Sequence, residues 1–128
     1  MIVLDTPVLI DALTGPRRSA PALRRAIEEG ERILLPSFVL YEWLRGPRRP
    51  EELEAQEALF PGSAAVIFGP AEAARAAQLY VQLPRARGRE IDLAIAACAL
   101  VLDARLWTLN PRDFRGLPGL ELYPQPDR

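Results

Sequence analysis

The sequence predicts an α/β fold of three layers, in which helices flank a central parallel sheet of four to five strands. Short runs of valine, isoleucine and leucine alternate with longer segments of helical pattern, an order typical of βα units. The first of these runs, residues 2–4, contains no polar position, as expected for a strand that is buried on both faces. The length of 128 residues suits one domain. We expect residues 1–123 to form that domain and residues 124–128 to form a short tail.

The first half of the chain supplies two of the predicted strands. The first strand is residues 2–4, and a short helix from about residue 7 to residue 13 ends before Gly15-Pro16. A second helix over residues 20–29 stops at Gly30, because glycine readily adopts the left-handed conformation that ends helices. The elements that follow are a strand at 32–35, a helix at 38–45 and a helix at 51–60.

The second half supplies the remaining strands. Residues 65–68 form the third predicted strand, and an alanine-rich helix covers residues 71–83. A basic loop at 85–89 leads into the strongest helical pattern of the chain, at 90–102. The last elements are a fourth strand at 106–109 and an edge strand at 120–123. Since ligands of open α/β sheets bind beyond the carboxyl ends of the strands, polar groups at those ends are candidates for a site.

Two residue types are absent, and their absence limits the chemistry. The chain has no histidine, and all sixteen of its basic residues are arginine. Without histidine there is no Ser-His-Asp or Cys-His arrangement, and with Cys98 as the single cysteine there is no ordinary zinc site. Without lysine there is neither a Schiff base nor a P-loop. Catalysis would therefore fall to carboxylates, hydroxyls, water and a hard metal ion.

Charge and hydropathy favour a cytoplasmic protein. The formal net charge is −1, which gives no global attraction to nucleic acid, although the arginines cluster locally. No apolar run approaches the ~20 residues that a membrane helix needs. The amino-terminal residues lack the basic region and cleavage pattern of a signal peptide. One cysteine cannot form an intramolecular disulfide.

Two acidic residues in the first half of the chain are candidate site residues. Asp5 directly follows the first strand, where it either caps the next helix or belongs to a polar cluster. Glu42 lies within a helix among large apolar neighbours. It either pairs with Arg45 at the solvent edge or faces a polar pocket.

Asp92 is the third acidic candidate. It lies in the first turn of the helix over residues 90–102, where carboxylates are common for dipole reasons alone. Ala96 and Ala99 follow on the same face, and such small residues allow the helix to lie close to the sheet. Asp92 would then point toward the strand ends.

Asp113 is the fourth candidate, with Asn110 and Thr108 as neighbouring oxygen donors after the fourth strand. A simple turn also explains this segment. If the four carboxylates converge, each pair at ~4 Å repels by roughly 4 kcal/mol at an effective dielectric constant near 20. Such a cluster implies a bound divalent cation, or an arginine supplied by a partner.

Four segments together carry a resemblance to a known family: Ile2 to Thr6, Val39 to Gly46, Ile91 to Leu100 and Leu106 to Phe114. In order and spacing they resemble the PIN domain of VapC-like ribonucleases, the toxins of type II toxin–antitoxin systems. No single segment is specific, but the four together span nearly the whole chain. Leu109, Cys98 and Pro7 depart from residues common in that family, and none of these departures removes a carboxylate.

The resemblance implies a PIN-like fold and a Mg²⁺- or Mn²⁺-dependent endoribonuclease. Asp5, Glu42 and Asp92 would hold the metal directly or through water, and Asp113 would complete the pocket, with Asn110 as its alternative. The implied partners are an RNA substrate, a cognate antitoxin and a second copy of the chain. The implied phosphate-binding residues are Thr6, Arg45, Arg87, Arg89, Thr108 and Asn110.

Three other interpretations stay open at this point. A non-catalytic PIN-like module that binds RNA or protein would have the same fold. A receiver-type signalling domain is disfavoured because that class uses a lysine. An aspartate-nucleophile phosphatase is disfavoured because Pro7 stands where its second aspartate is required.

Overall fold

Three parallel strands form the centre of the fold in the computed structural model, which describes residues 1–124. β1 (Ile2–Leu4) is the middle strand, between β2 (Ile33–Leu34) and β3 (Arg105–Trp107). All three residues of β1 are fully buried, which explains why this strand is apolar at every position. The register pairs Ile2 with Ile33 and Arg105, Val3 with Leu34 and Leu106, and Leu4 with Trp107.

Six α-helices accompany these strands within residues 1–124, and the predicted α/β class is confirmed. Four of them have proline in the first turn, where its fixed φ suits a helix start and its missing N–H costs no hydrogen bond. Each predicted helix is present, with ends that differ by at most one residue. The helices are α1 (Thr6–Leu13), α2 (Ala20–Glu28), α3 (Ser37–Arg45), α4 (Pro50–Leu59), α5 (Pro70–Gln82) and α6 (Glu90–Leu102).

The predicted number of four to five strands is wrong for the described residues, because segments 65–68 and 120–123 each form a single β-bridge. Val66 bridges to Pro36 beside β2. That ladder stops at once, because Ser37, whose N–H donates to the carbonyl of Val66, is already the first residue of α3. Leu122 bridges to Leu106 at the other edge, between a left-handed Gly119 and Pro124. These breakers leave too few extended residues for a ladder.

The boundaries of the other strands also differ from the prediction. The second strand is shorter than the predicted 32–35, and the fourth ends at Trp107 rather than at residue 109. Thr108 has left the strand because its hydroxyl is engaged in side-chain hydrogen bonds. Residues 125–128 of the predicted tail lie outside the described part of the chain.

α6 carries the largest buried surface among the helices and fixes the distance to the sheet. Its residues 93–99 are all buried, and four of them are alanine. Ala96 and Ala99 are fully inaccessible to solvent, as expected of small residues that allow a helix to approach a sheet closely. This close approach places the first turn of α6, and with it Asp92, at the carboxyl edge of the strands.

Candidate active site

Asp5 lies at the carboxyl end of the central strand and is almost completely buried. Its Oδ1 accepts a hydrogen bond of 2.9 Å from the backbone N–H of Thr6, so it caps α1. Its Oδ2 accepts a hydrogen bond of 2.8 Å from the hydroxyl of Thr108, which follows β3. Asp5 is therefore both a helix cap and a member of a polar cluster between two neighbouring strand ends.

Glu42 reaches the same cluster from α3. Its Oε1 accepts a hydrogen bond of 2.6 Å from the hydroxyl of Thr6, the first residue of α1. Its Oε2 lies 3.3 Å from Nη2 of Arg45, one turn further along α3. The two sequence interpretations of Glu42 thus both apply, since the carboxylate pairs with Arg45 and also faces the polar cluster.

Asp92 and Asp113 complete the set without protein hydrogen bonds to their carboxylates among residues 1–124. Asp92 is half-buried at the start of α6. Asp113 ends a short 3-10 helix, Pro111–Asp113, that follows β3. Their oxygen atoms, unlike those of Asp5 and Glu42, are available for other ligands.

The carboxylates act on one another electrostatically. Burial raises the pKa of Asp5 from its ordinary value of 3.8 to about 6, with smaller contributions from the negative charges of Asp92 and Glu42. Hydrogen bonds from Thr108 and Thr6 oppose that rise. The pKa of Asp92 is also raised, first by desolvation and then by Asp113 and Glu42, while Arg89 lowers it. The four predicted acidic residues are therefore electrostatically coupled to one another.

The predicted phosphate-binding arginines lie in three different places. Arg45 is next to Glu42, as described above. The guanidinium of Arg89 donates a hydrogen bond to the backbone carbonyl of Asp113, so it links the start of α6 to the 3-10 helix. Arg87 is exposed on the preceding loop. It contributes to the low pKa of Glu90, after the backbone hydrogen bonds from Gly88 and Glu90 itself.

Of the predicted polar residues Thr6, Thr108 and Asn110, the two threonines contact carboxylates directly. Thr6 donates to Glu42, and Thr108 donates to Asp5. The hydroxyl of Thr108 also accepts a hydrogen bond of 3.0 Å from the backbone N–H of Asn110, which is itself exposed. The two threonine hydroxyls thus hold the carboxylates in place, and Asn110 acts only through Thr108.

The arrangement is rich in oxygen ligands but is not a closed metal cage. Within residues 1–124, no three acidic or thiol side chains lie close enough to hold one ion together. Asp5 and Glu42 each accept a hydrogen bond from a threonine hydroxyl, which occupies one oxygen of each carboxylate. A cation here would be bound by one or two carboxylates and several waters, which is the usual coordination of Mg²⁺ in proteins.

Sequence reasoning did not identify Tyr41, whose ring centroid lies 5.3 Å from the guanidinium carbon of Arg45, or the link from Arg89 to Asp113. An aromatic residue one position before a candidate glutamate was a usable signal for the first. No local signal predicts the second, because the two residues are 24 positions apart.

A carboxylate cluster at the carboxyl edge of a parallel α/β sheet is typical of metal-dependent phosphodiester chemistry. Comparison with known proteins is consistent with that class. The PIN domain family model matches residues 2–120. Ribonuclease VapC19 of Mycobacterium tuberculosis is 35% identical over 126 residues, which cover 94% of this chain and 98% of the relative. The chain therefore belongs to the PIN-domain family.

Solved structures show the same fold. The structure of DNA-bound VapBC from Salmonella typhimurium matches with a TM-score of 0.75 and 22% identity, covering 95% of this chain and 96% of that one. A toxin–antitoxin complex from Klebsiella pneumoniae matches with a TM-score of 0.71 and 25% identity, covering 94% and 95%. The predicted PIN-like fold is thus confirmed.

Proposed function

We propose that this protein is a Mg²⁺- or Mn²⁺-dependent endoribonuclease and the toxin of a toxin–antitoxin pair. The observation that carries the proposal is the electrostatic coupling of four carboxylates at the strand ends, those of Asp5, Glu42, Asp92 and Asp113. Repulsion among the four carboxylates lowers the stability of the fold, so stability does not explain why they lie together. A bound divalent cation would offset their charge. The family, and the name of the relative from Mycobacterium tuberculosis, support RNA hydrolysis as the reaction.

The donor set fits a hard cation in its chemistry. Every candidate ligand is a carboxylate, hydroxyl or amide oxygen, and oxygen ligands suit Mg²⁺ and Mn²⁺. Asp92 and Asp113 would be direct ligands, since their oxygens accept no protein hydrogen bond within residues 1–124. Asp5 and Glu42 would act mainly through bound water, because Thr6 and Thr108 already engage them. When bound, the cation would activate water and offset charge on the scissile phosphate.

The chain's own residues would position the substrate and move the proton. The Thr108 hydroxyl and the Thr6 N–H hold the Asp5 carboxylate in one orientation, which fixes the position of its negative charge in the site. One oxygen of Asp92 would hold the cation and the other would accept the proton of the attacking water, since neither accepts a protein hydrogen bond within residues 1–124. Arg89 secures the segment of Asp113 beside it.

An antitoxin would need an apolar surface, and the described structure has one. A cavity of about 500 Å³ lies between α1, α2 and α4. Leu13 and Leu23 contribute buried apolar surface there, Ile27 and Leu59 are partly exposed, and Arg17 lies at the rim. Such a surface suits the apolar face of an amphipathic helix.

We also propose a homodimer and a cytoplasmic location. Val81 on α5 is 82% exposed, and Tyr80 and Val101 nearby are partly exposed as well. A second copy of the chain would cover these apolar side chains. No helix among residues 1–124 is long and apolar enough to cross a membrane.

The test is cleavage of a mixed single-stranded RNA pool by the purified protein with Mg²⁺, with Mn²⁺ and with EDTA. We expect cleavage with either cation, none in EDTA, and none from the Asp5→Asn variant. Asp103→Asn is the matched control, because Asp103 is an exposed aspartate far from the cluster in a left-handed conformation that asparagine tolerates. Mn²⁺ should also raise the thermal midpoint of the wild type more than that of Asp5→Asn.

Three results would contradict the proposal. Cleavage that Asp5→Asn retains in full would come from a contaminating nuclease. If the wild type cuts nothing with either cation but binds RNA, the non-catalytic PIN-like module becomes the better interpretation. An equal Mn²⁺ response of the two proteins would place the cation elsewhere.

A further inference from the structure

Arg89 lies between the two segments that carry Asp92 and Asp113. It is partly buried and directly precedes α6, the helix that begins with the turn of Asp92. Its backbone is fixed on both sides. The Arg89 N–H donates a hydrogen bond of 2.9 Å to the carbonyl of the buried Ala86, and the Arg89 carbonyl accepts one of 3.0 Å from the N–H of Leu93. The side chain of Arg89 therefore starts from a fixed point of the fold.

The guanidinium of Arg89 is bound to the segment of Asp113. Its Nη2 donates a hydrogen bond to the backbone carbonyl of Asp113, 24 positions further along the chain. Desolvation and then the negative charge of Asp113 raise the pKa of Asp92, while the positive charge of Arg89 lowers it. One cation thus contacts the backbone of one acidic residue and acts on the carboxylate of the other.

The segment that carries Asp113 depends on such a contact for its position. It is a 3-10 helix of three residues, Pro111–Asp113, and hydrogen bonds in this kind of helix have poorer geometry than those of an α-helix. The next residue, Phe114, is buried, which fixes the end of the segment but not the distance of the Asp113 carboxylate from α6. Repulsion between Asp92 and Asp113 increases that distance. The hydrogen bond from Arg89 opposes this movement.

The same contact distinguishes Arg89 from an arginine that binds substrate. Arg87, two positions earlier, is exposed and makes no hydrogen bond or ion pair within residues 1–124, so its donors are open to a phosphate. Arg89 instead gives a donor to the protein's own backbone. The structure favours a role inside the site for Arg89 over the phosphate contact that the family resemblance implies.

We infer that Arg89 is a positioning residue, which holds the carboxylate of Asp113 near that of Asp92 so that the two are in place for one cation. This inference rests on the proposed function, which supplies the cation, and adds how its two direct ligands are brought together. Ligands that the fold already holds in position lose less freedom when the cation binds. In this role Arg89 acts through Asp113 and contacts no substrate.

The first experiment measures the 3-10 helix alone, in the full-length protein with EDTA. Amide hydrogen exchange, followed by NMR, reports on the N–H groups of Asp113 and Phe114, which donate to the carbonyls of Asn110 and Pro111. Arg89→Gln should lower their protection factors about 2- to 12-fold, the loss expected for one ordinary hydrogen bond. Arg89→Lys keeps the charge and a donor, so it should recover part of that protection.

Arg112→Gln is the matched control for this experiment. Arg112 belongs to the same 3-10 helix, is exposed, and makes no hydrogen bond or ion pair in the part of the chain that the structure describes. Its substitution removes the same charge as Arg89→Gln and should leave the protection factors unchanged. Equal thermal midpoints of the variants would show that each of them folds.

The second experiment tests whether Arg89 acts through Asp113. Calorimetry gives the Mn²⁺ affinity of the wild type, Arg89→Gln, Asp113→Asn and the double variant. Loss of the Arg89 charge favours a cation to the same extent in both backgrounds, so the double-mutant cycle cancels that effect. The positioning effect remains. Compared with its effect in Asp113→Asn, Arg89→Gln should weaken Mn²⁺ binding a further 2- to 12-fold, roughly, in the wild type.

A third measurement separates positioning from phosphate binding. Fluorescence anisotropy follows a short single-stranded RNA with the Asp5→Asn protein in EDTA, where no cation supports cutting. Addition of Arg89→Gln should leave the slope of log affinity against log salt unchanged. A fall of that slope by about 0.7, the value for one phosphate contact on a single strand, would make Arg89 a substrate ligand and overturn the inference.

Two further results would overturn the inference. Unchanged protection factors in Arg89→Gln would show that the 3-10 helix does not need this contact. Additive effects of Arg89→Gln and Asp113→Asn on the Mn²⁺ affinity would show that Arg89 does not act through Asp113. A wild type that binds no Mn²⁺ would contradict the proposed function instead, and the exchange result in EDTA would still decide whether Arg89 holds Asp113.

Discussion

Substitution of Asp5 by asparagine should stabilise the protein at neutral pH, although it removes a central residue of the proposed active site. Burial holds the pKa of Asp5 at about 6 in the folded state, against 3.8 ordinarily. A carboxyl with a raised pKa in the folded state costs nothing below about pH 4, where it is protonated in both states. The cost grows as the pH rises and is complete above about pH 6, where folding must bury the charge.

The magnitude follows from the two pKa values. Their difference is about two pH units, and each unit corresponds to ~1.4 kcal/mol, so ionised Asp5 costs the folded state about 3 kcal/mol. Asparagine removes that charge and remains a good helix cap. It has one oxygen where the carboxylate has two, so one of the hydrogen bonds from Thr6 and Thr108 is lost, at about 1 kcal/mol. The net gain is about 2 kcal/mol.

The assay is thermal and urea unfolding of the wild type and Asp5→Asn in EDTA, from pH 4 to pH 8. At pH 8 we expect a gain of about 2 kcal/mol, or about 8 °C at roughly 4 °C per kcal/mol for a chain of this length. At pH 4 the gain should give way to a small loss of up to about 1 kcal/mol, because only the missing hydrogen bond remains. The exposed control Asp103→Asn should show no comparable dependence on pH. Equal gains at pH 4 and pH 8, or a loss at pH 8, would refute the reasoning, because the gain depends on the ionised carboxylate.

Two further substitutions test how neighbouring side chains are held. Thr108→Val should lower the free energy of unfolding by about 1–3 kcal/mol at pH 7, because the buried hydroxyl donates to Asp5 and valine cannot. In a urea titration, Thr108→Ser should recover most of that stability. A valine variant as stable as the wild type would contradict the role of this hydroxyl. Gly46→Ala places a methyl group 2.8 Å from Nη2 of Arg48, whose guanidinium lies 4.2 Å from the Trp43 ring centroid. The flexible arginine should move aside at a cost of about 0.5–1 kcal/mol, which the lower entropy of the unfolded chain nearly offsets. A fall in the free energy of unfolding well above about 1 kcal/mol would show that Arg48 cannot move.

Most helices and the central strand could be predicted from the sequence because their signals are local. Glycine and proline mark where helices end, and a run without polar positions marks β1 as buried on both faces. The strands at the sheet edges could not be predicted in the same way. Residues 65–68 and 120–123 have strand composition, but a ladder also needs an extended partner. At one edge the partner segment turns into α3 directly after Pro36, and at the other edge nearby turns shorten the segment.

For the candidate site, the sequence by itself determined the available chemistry. It has no histidine or lysine, and it has acidic residues after or near the strand ends, which leaves carboxylates as the reactive groups. Only the tertiary structure decided what each group contacts. Thr6 and Thr108 engage Glu42 and Asp5, while the Asp92 carboxylate accepts no hydrogen bond from the part of the chain that the structure describes. These contacts join residues up to 103 positions apart, and their geometry depends on how closely the helices pack on the sheet, which no local pattern encodes.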